Sequence, residues 1–195
     1  MSDLFNEPND ATPLTPEERD GLIPSHVALR GELNELEQQN ILAASVWAFG
    51  RKRDPFSEAF ALGLHKRMFD QVWRWAGQFR TSDKNIGVDH RTAQVRLRQA
   101  LDDARYWVDH NTYSHDELAV RFHHALVFIH PFPNGNGRWS RLMADLLIVS
   151  LGGNRFSWGG AQTLRSADET RRAYIAALRA ADNHDFAPLM AFARS

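Results

Sequence analysis

The chain has 195 residues, 43% of them hydrophobic and 24% charged, and its formal net charge of -1 argues against a surface that binds nucleic acid as a whole. It has no cysteine, which excludes disulfides and a thiol nucleophile, and no stretch that predicts a signal peptide. No apolar run approaches the roughly 18 residues of a membrane helix, so we expect a cytoplasmic protein without membrane or direct nucleic-acid contacts.

The first 25 residues are set apart by their prolines. Four of the eight prolines of the chain fall here, at positions 8, 13, 16 and 24. Because proline restricts the backbone and removes a hydrogen-bond donor, we predict an irregular N-terminal arm over residues 1–25, with at most a short helical turn near residues 15–21. The remaining residues, 26–195, are expected to form one domain.

From about residue 26 the apolar residues follow the spacing of α-helices. A series of three- and four-residue steps from Leu29 to Trp47 predicts a long first helix that ends at Gly50. Ser114 and Ser166 are each followed three residues later by a glutamate, which is the spacing of a capping box. Further helices are therefore predicted at about 57–69, at 92–110, from Ser114 to about 130, from the glycine-rich turn to Gly152, from Ser166 to about 182, and over 187–193.

Residues 78–91 break the helical period. They are small, polar and turn-forming, with short β-prone pieces at 79–81 and 86–88. This pattern predicts a β-hairpin that forms a flap. The fold class is therefore all-α with one small hairpin.

Residues 130–141, "HPFPNGNGRWSR", combine features of a phosphate site. Gly135, Asn136 and Gly137 precede a helix, whose first backbone N–H groups are unpaired and can bind an anion. Arg138 and Arg141 stand three residues apart, so both can approach the same phosphate chain from one helix face. One set of N–H groups with two arginines favours a di- or triphosphate.

The histidine that opens this stretch has a different position. His130 ends the preceding helix, because Pro131 disfavours its continuation. A neutral imidazole at the rim of a phosphate site can take a proton from an attacking hydroxyl. Phe132 is expected to anchor the loop in the core. A single histidine, a glycine turn or an arginine pair is commonly structural, but the three together within twelve residues favour a functional site. His123 and His124 point about 100° apart on a helix and are expected at the edge of the core.

The whole stretch resembles the signature of the Fic (Fic/Doc) family, H-x-F-x-[D/E]-G-N-G-R-x-x-R. The match comprises His130, Phe132, Gly135, Asn136, Gly137, Arg138 and Arg141. "FRTSDKNIGV" lies where the family carries its target-docking flap, and "YIAALRAADNHDFAPLMAF" is similar to the C-terminal helices of the family. "IPSHVALRGELNELEQQNI" and "WAFGRK" resemble the branch called mobile mystery protein B. The resemblance covers about residues 25–195.

This resemblance implies a Fic-like helical bundle that transfers AMP from ATP to a Ser, Thr or Tyr hydroxyl of a target protein. His130 would deprotonate that hydroxyl, and the backbone of residues 135–137 would hold the α- and β-phosphates. Arg138 would bind the β-phosphate and Arg141 the γ-phosphate. The flap would align the target segment by strand addition; its docking residues would be Thr81, Ser82, Lys84, Asn85 and Ile86.

Two positions depart from the family pattern. Asn134 replaces the usual Asp or Glu that coordinates Mg²⁺, and a neutral amide oxygen would be a weaker ligand for Mg²⁺ or Mn²⁺. This predicts reduced activity, a changed metal preference or another donor. In the inhibitory-helix pattern [S/T]-x-x-x-E-[G/N], Glu35 stands at the Ser/Thr position and Gln39 at the Glu position. Gln39 offers no charge to Arg141, although Glu35 or Glu37 could reach the site from a shifted register.

The function expected from the sequence is thus protein adenylyl transfer by a bacterial toxin or signalling enzyme. A separate antitoxin or regulator protein is a candidate partner. Two alternatives stay open at this point. One is another nucleotidyl or phosphoryl transfer, or removal of AMP, at the same site. The other is a nucleotide-binding regulatory module without turnover, which is consistent with Asn134.

Overall fold

The computed structural model describes residues 4–5, 12–160 and 166–195, and the elements within these ranges are almost all helical. An isolated bridge pairs Leu22 with Trp73, and no β-strand occurs among the described residues. The helices are α1 (Pro16–Arg19), α2 (Arg30–Phe49), α3 (Glu58–Phe69), a 3₁₀ turn (His90–Thr92), α4 (Ala93–Asp109), α5 (His115–Ile129), α6 (Asn136–Ser150), α7 (Ala167–Asp182) and α8 (Ala187–Arg194).

The antiparallel pair α5 and α6 forms the centre of the bundle. Helix α3 contacts α6 from one side together with α2, while α4 and α8 pack on α5. Apolar side chains of these helices fill the core, among them the fully buried Phe122, Leu126, Trp139 and Leu147. The short connection between α5 and α6 is therefore held on a rigid frame, and it carries the motif of residues 130–137.

Side-chain caps explain where four of the eight described α-helices begin. Ser57, Ser114 and Ser166 each accept a hydrogen bond from the backbone N–H three residues later, which confirms the predicted starts. The first long helix begins at Arg30 and not near residue 26. The Glu32 carboxylate accepts hydrogen bonds from the N–H groups of Ala28 and Leu29, at 3.0 and 3.1 Å, which fixes the start.

The hairpin predicted at residues 78–91 is wrong, because this flap contains bends and no strand. The buried Arg80 guanidinium binds carbonyl groups of the flap and of the end of α5. It donates to the backbone oxygens of Ser82, Val88 and His130. Its own N–H donates to the Pro131 carbonyl at 2.9 Å. The flap is thus fastened to the end of α5 by the Arg80 side chain and by backbone bonds, including one from the Val88 N–H to the Ile129 carbonyl at 3.4 Å.

The proline-rich arm is irregular over residues 12–15 and then forms the single turn α1, as expected. Thr15 and Glu18 make a capping box at its start. Downstream, the Ile23 N–H donates to the Val72 carbonyl at 2.9 Å, and the Arg74 N–H donates to the Gly21 carbonyl at 2.8 Å. The arm is therefore tied by its backbone to the segment that follows α3. Pro8 lies outside the described residues.

None of the described helices combines the length and the apolar character that crossing a bilayer requires.

Candidate active site

The loop between α5 and α6 is fixed by its own polar groups. The Asn136 side chain accepts from the Phe132 N–H and donates to the Phe132 carbonyl, each at 2.9 Å, and it is 1% exposed. The Phe132 ring is fully buried and stacks on the His65 ring with centroids 3.6 Å apart. The predicted role of Phe132 as the anchor of the loop agrees with this packing. The Asn136 amide is consumed inside the loop, so this residue can serve an anion through its backbone alone.

Gly135 turns the chain into α6. Its φ of +80° lies in the left-handed region, and a Cβ there would stand 2.5 Å from the Phe69 ring. Gly137 differs, because it is helical and a Cβ would find its nearest neighbour, the Tyr174 hydroxyl oxygen, at 3.7 Å. Gly135 is thus required by the backbone, whereas Gly137 leaves open space next to the helix start.

His130 caps α5 in the left-handed conformation, with φ of 53°. Its Nδ1 lies 3.3 Å from the Val127 carbonyl, so Nδ1 carries the proton and Nε2 presents a lone pair. Nε2 lies 3.0 Å from the Thr12 hydroxyl. Burial, together with the positive charges of Arg80 and Lys84, lowers the pKa of His130 to about 4 despite the Val127 bond. The imidazole is therefore neutral near pH 7 and can accept a proton.

The N-terminus of α6 offers backbone donors. Among the described residues, the N–H groups of Asn136 and Gly137 have no hydrogen-bond acceptor, whereas the Gly135 N–H donates to the Asn134 Oδ1 at 2.6 Å. Two N–H groups at a helix start, with the positive end of the helix dipole, attract an anion.

The two arginines of the motif have different surroundings. Arg138 pairs with Glu37 of α2, which is 4% exposed and also accepts from the Trp73 indole at 2.7 Å. Arg141 donates to the Gly137 carbonyl at 3.0 Å and lies over the Tyr174 ring. No carboxylate of the described residues pairs with Arg141, and burial lowers its pKa. Of the two arginines of the motif, Arg141 is thus the one without a carboxylate partner among the described residues.

Tyr174 connects Arg141 to a buried histidine. The Tyr174 hydroxyl lies 3.0 Å from Nε2 of His123, and burial raises the pKa of Tyr174 to about 12. Burial also lowers the pKa of His123 to about 3, so this histidine is neutral. His123 is fully buried rather than at the core edge, while His124, with 15% of its side chain exposed, pairs with Asp182.

Asn134 does not fit a metal ligand in this arrangement. Its Oδ1 accepts from the Gly135 N–H and lies 3.4 Å from an Arg138 nitrogen, so a donor and a cation both face that oxygen. Its Nδ2 donates to the Thr12 carbonyl at 3.3 Å. A divalent cation at Oδ1 would meet the Arg138 charge. The assignment of Asn134 as a weak Mg²⁺ ligand stays a prediction that this geometry opposes.

A cavity of about 700 Å³ brings these groups together. His130, the start of α6, Arg138 and Arg141 line it, and so does Ile86 of the flap. Among the described residues, its wall contains four arginines but a single carboxylate, Asp168. The cavity is therefore suited to a strongly anionic ligand. The remaining docking residues predicted in the flap do not line it; these are Thr81, Ser82, Lys84 and Asn85.

The two residues predicted for regulation do not line the cavity. Glu35 and Gln39 are exposed on α2, one helical turn apart. Glu37 lies on the opposite side of the helix and reaches Arg138. The sequence left open that Glu35 or Glu37 reaches the site from a shifted register. In the structure Glu37 does so, and it pairs with Arg138 and not with Arg141.

Sequence reasoning missed two residues at the site, Thr12 and Tyr174. Thr12 lies in a proline-rich arm without periodicity, so no pattern connects it with His130. Tyr174 was visible as an aromatic residue on a predicted helix, but its contact with Arg141 depends on how α7 packs.

Comparison with known proteins agrees with this geometry. Residues 55–148 match the family model described as the Fic/DOC family, and the match includes the loop and most of α6. Residues 55–148 form a domain of the Fic/DOC family. The protein adenylyltransferase fic-1 of Caenorhabditis briggsae is 31% identical over 137 residues. That alignment covers 67% of this chain and 25% of the relative, so the chain spans about a quarter of its length.

Solved Fic structures share the fold. BepC from Bartonella tribocorum with bound AMPPNP has a TM-score of 0.67 at 18% identity, covering 92% of this chain and 97% of the other. Fic-1 (aa134 - 508) from C. elegans has a TM-score of 0.64 at 24% identity, covering 90% of this chain and 50% of the other. The helical Fic fold predicted from the sequence is therefore confirmed. The branch within the family stays a prediction.

Proposed function

We propose that this Fic/DOC protein transfers AMP from ATP to a hydroxyl side chain of a protein. The observation that carries the proposal is the juxtaposition in one cavity of three features. Nε2 of His130 meets a hydroxyl at 3.0 Å. Within the part of the chain that the structure describes, the backbone N–H groups of Asn136 and Gly137 have no acceptor and Arg141 has no carboxylate partner. A base, an anion cradle and a cation are the groups that phosphoryl chemistry needs. The similarity to a protein named adenylyltransferase supports the choice of AMP.

In this proposal each group has one task. His130 takes the proton of the acceptor hydroxyl as its oxygen attacks the α-phosphorus. The start of α6 holds phosphate oxygens, and Arg138 and Arg141 bind the β- and γ-phosphates. Arg138 gives up its bond to Glu37 or shares it, so this carboxylate competes with the nucleotide for the first arginine. No step is assigned to Mg²⁺, because Asn134 does not fit it as a ligand.

Incubation of the protein with ATP and a bacterial lysate tests the proposal. ATP labelled at the α-phosphate should label proteins, whereas ATP labelled at the γ-phosphate should not. Labelling from the γ-phosphate would indicate phosphorylation, and release of AMP from a premodified protein would indicate the reverse reaction. Either result without α-labelling would contradict the proposal.

A second candidate is a nucleotide-binding module without turnover. The Glu37–Arg138 pair favours it, because that pair leaves one arginine of the motif neutralised. ATP binding by calorimetry without transfer from either label, in the wild type and in Glu37→Gln, would support the module. Renewed transfer in Glu37→Gln would support the enzyme.

The role as a toxin, the separate antitoxin and the cytoplasmic location stay predictions from the sequence. A target protein follows from the proposed reaction, since a hydroxyl acceptor is required. Growth arrest on expression, relieved by His130→Ala, is the result expected of a toxin.

A further inference from the structure

The hydroxyl that meets the histidine base belongs to this chain itself. Thr12 is 8% exposed, and its Oγ1 lies 3.0 Å from Nε2 of His130. Because Nδ1 of His130 faces the Val127 carbonyl and carries the proton, Nε2 accepts and the Thr12 hydroxyl donates. The bond therefore has the direction that proton removal from a nucleophile requires. Thr12 provides the hydroxyl that contacts His130 among the described residues.

Several bonds hold Thr12 at this place. The Asn134 side chain donates to the Thr12 carbonyl at 3.3 Å, and Lys84 of the flap donates to the Pro13 carbonyl at 3.0 Å. Lys84 also pairs with Glu18, and the two side chains are 2% and 10% exposed. A buried charge is costly when its partner is missing. The arm is therefore favoured in the position where Glu18 meets Lys84. Leu14, which is 5% exposed, adds an apolar anchor.

The arm also occupies the place assigned to a target. The flap is where the sequence predicted docking of a protein segment, and its residue Lys84 binds the extended residues next to Thr12. Thr12 lines the same cavity as the start of α6 and Arg138. A nucleotide bound there would lie beside the Thr12 hydroxyl, which already contacts the imidazole of His130.

We propose that Thr12 is an acceptor for nucleotidyl transfer within the chain, so that the protein modifies its own arm. The proposal rests on the proposed function and names one substrate of that site. Oγ1 of Thr12 forms a bond to the α-phosphorus of ATP while its proton passes to Nε2 of His130. The bond from the α-phosphorus to the bridging oxygen breaks, and pyrophosphate leaves with the electron pair. The product is AMP esterified to Thr12.

The experiment is incubation of the full chain with ATP, followed by intact mass and peptide mapping. The expected result is one adenylyl group on the peptide that contains Thr12. Thr12→Val keeps the shape and removes the hydroxyl, so it should abolish this modification, whereas Thr12→Ser should retain it. Thr112→Val, at an exposed threonine in the turn before α5, is the matched control and should be modified like the wild type. Because the step is intramolecular, the modified fraction at a given time should not change on tenfold dilution of the protein.

The outcomes separate this inference from the proposed function. Lysate proteins that gain AMP while the Thr12 peptide stays unmodified would overturn the role of Thr12 and leave the proposed function intact. Modification of the chain at other residues, unchanged in Thr12→Val, would do the same. A rate that rises with protein concentration would overturn transfer within the chain. Absence of transfer to every protein, with ATP bound, would overturn both proposals.

Discussion

The loop at residues 130–137 and the arm segment at residues 12–22 meet at His130, but different forces hold them. The loop is fastened from inside, through the Asn136 amide and the buried Phe132 ring. The arm is fastened from outside, through Lys84, the Asn134 side chain, the buried Leu14 side chain and a few backbone bonds. We therefore expect the loop to act as a fixed frame for chemistry and the arm to be the part that can be released. Each prediction below tests one side of this contrast.

The largest effect is expected from His130. His130→Ala should reduce transfer by about 10²–10⁴-fold, which is the usual cost of losing a general base. ATP affinity should stay nearly unchanged, because Nε2 faces a hydroxyl and not the phosphate cradle. The measurements are the α-label transfer rate and calorimetric ATP binding. Since residue 130 has φ of 53°, His130→Asn, which tolerates this conformation, is the control for strain. Transfer at the wild-type rate in both variants would show that His130 is not the general base and has a structural role.

The next effect concerns the frame itself. Gly135→Ala should destabilise the fold by about 3 kcal/mol or more, because it adds left-handed strain and a contact with the Phe69 ring. Gly137→Ala should change stability by less than about 1 kcal/mol, because this residue is helical. It should nevertheless weaken ATP binding, since its new methyl group enters the cavity. Urea unfolding of both variants checks this pair, and equal losses of stability would contradict the assigned roles.

The arm should be releasable without loss of the fold. Glu18→Gln keeps a side chain suited to the capping box but leaves the buried Lys84 charge unpaired, at a cost of about 3 kcal/mol to arm docking. Hydrogen exchange should accelerate in residues 12–22 and stay unchanged in the loop. Glu17→Gln, at the exposed neighbouring position, is the control. Equal acceleration in both regions would show that arm and loop form one cooperative unit.

Acid should weaken the frame. Burial lowers the pKa values of His65 and His123 to about 3 and of His130 to about 4. These residues stay neutral in the folded protein but become protonated below about pH 6.5 when it unfolds, so stability is lost as the pH falls. Each histidine contributes about 1.4 kcal/mol per pH unit over this window. The free energy of unfolding, measured with urea, should fall less between about pH 7 and 5 in His65→Gln than in His26→Gln, a variant at an exposed site. Identical slopes would contradict this reading.

The smallest effect on transfer and stability is expected from a substitution on α2. Gln39→Ala should change transfer by less than about twofold and stability by no more than about 0.5 kcal/mol, because Gln39 is exposed and does not line the cavity. Glu37→Gln should raise ATP affinity, since Arg138 loses its competing charge. A larger gain of activity in Gln39→Ala than in Glu37→Gln would contradict the assignment of Glu37 as the residue of α2 that opposes nucleotide binding.

The sequence predicted most of the frame. For the arm it predicted the irregular start and the short turn, but not the contacts with the site. Helix starts at Ser57, Ser114 and Ser166 follow from local capping, and the loop follows from a contiguous motif. Its roles for the phosphates remain proposals. The flap was mistaken for a hairpin because β-prone residues near 79 and 87 gave a local pattern, whereas the buried Arg80 side chain decides its shape.

The contacts missed from the sequence join distant parts of the chain. Thr12 lies 118 positions before His130, and Glu37 lies 101 positions before Arg138. Such pairs depend on how the arm and α2 pack against the α5–α6 connection, and no spacing rule encodes them. The periodicity of α2 identified its apolar face but could not decide which of three neighbouring polar residues turns inward.

Measurement of pyrophosphate during α-label transfer tests the central claim most directly. Displacement at the α-phosphorus releases one pyrophosphate for each adenylyl group attached to protein. The account predicts this one-to-one ratio in the wild type and neither product above background in His130→Asn. Transfer of the γ-label to protein with release of ADP instead of pyrophosphate, or equal release of pyrophosphate by the variant, would contradict it.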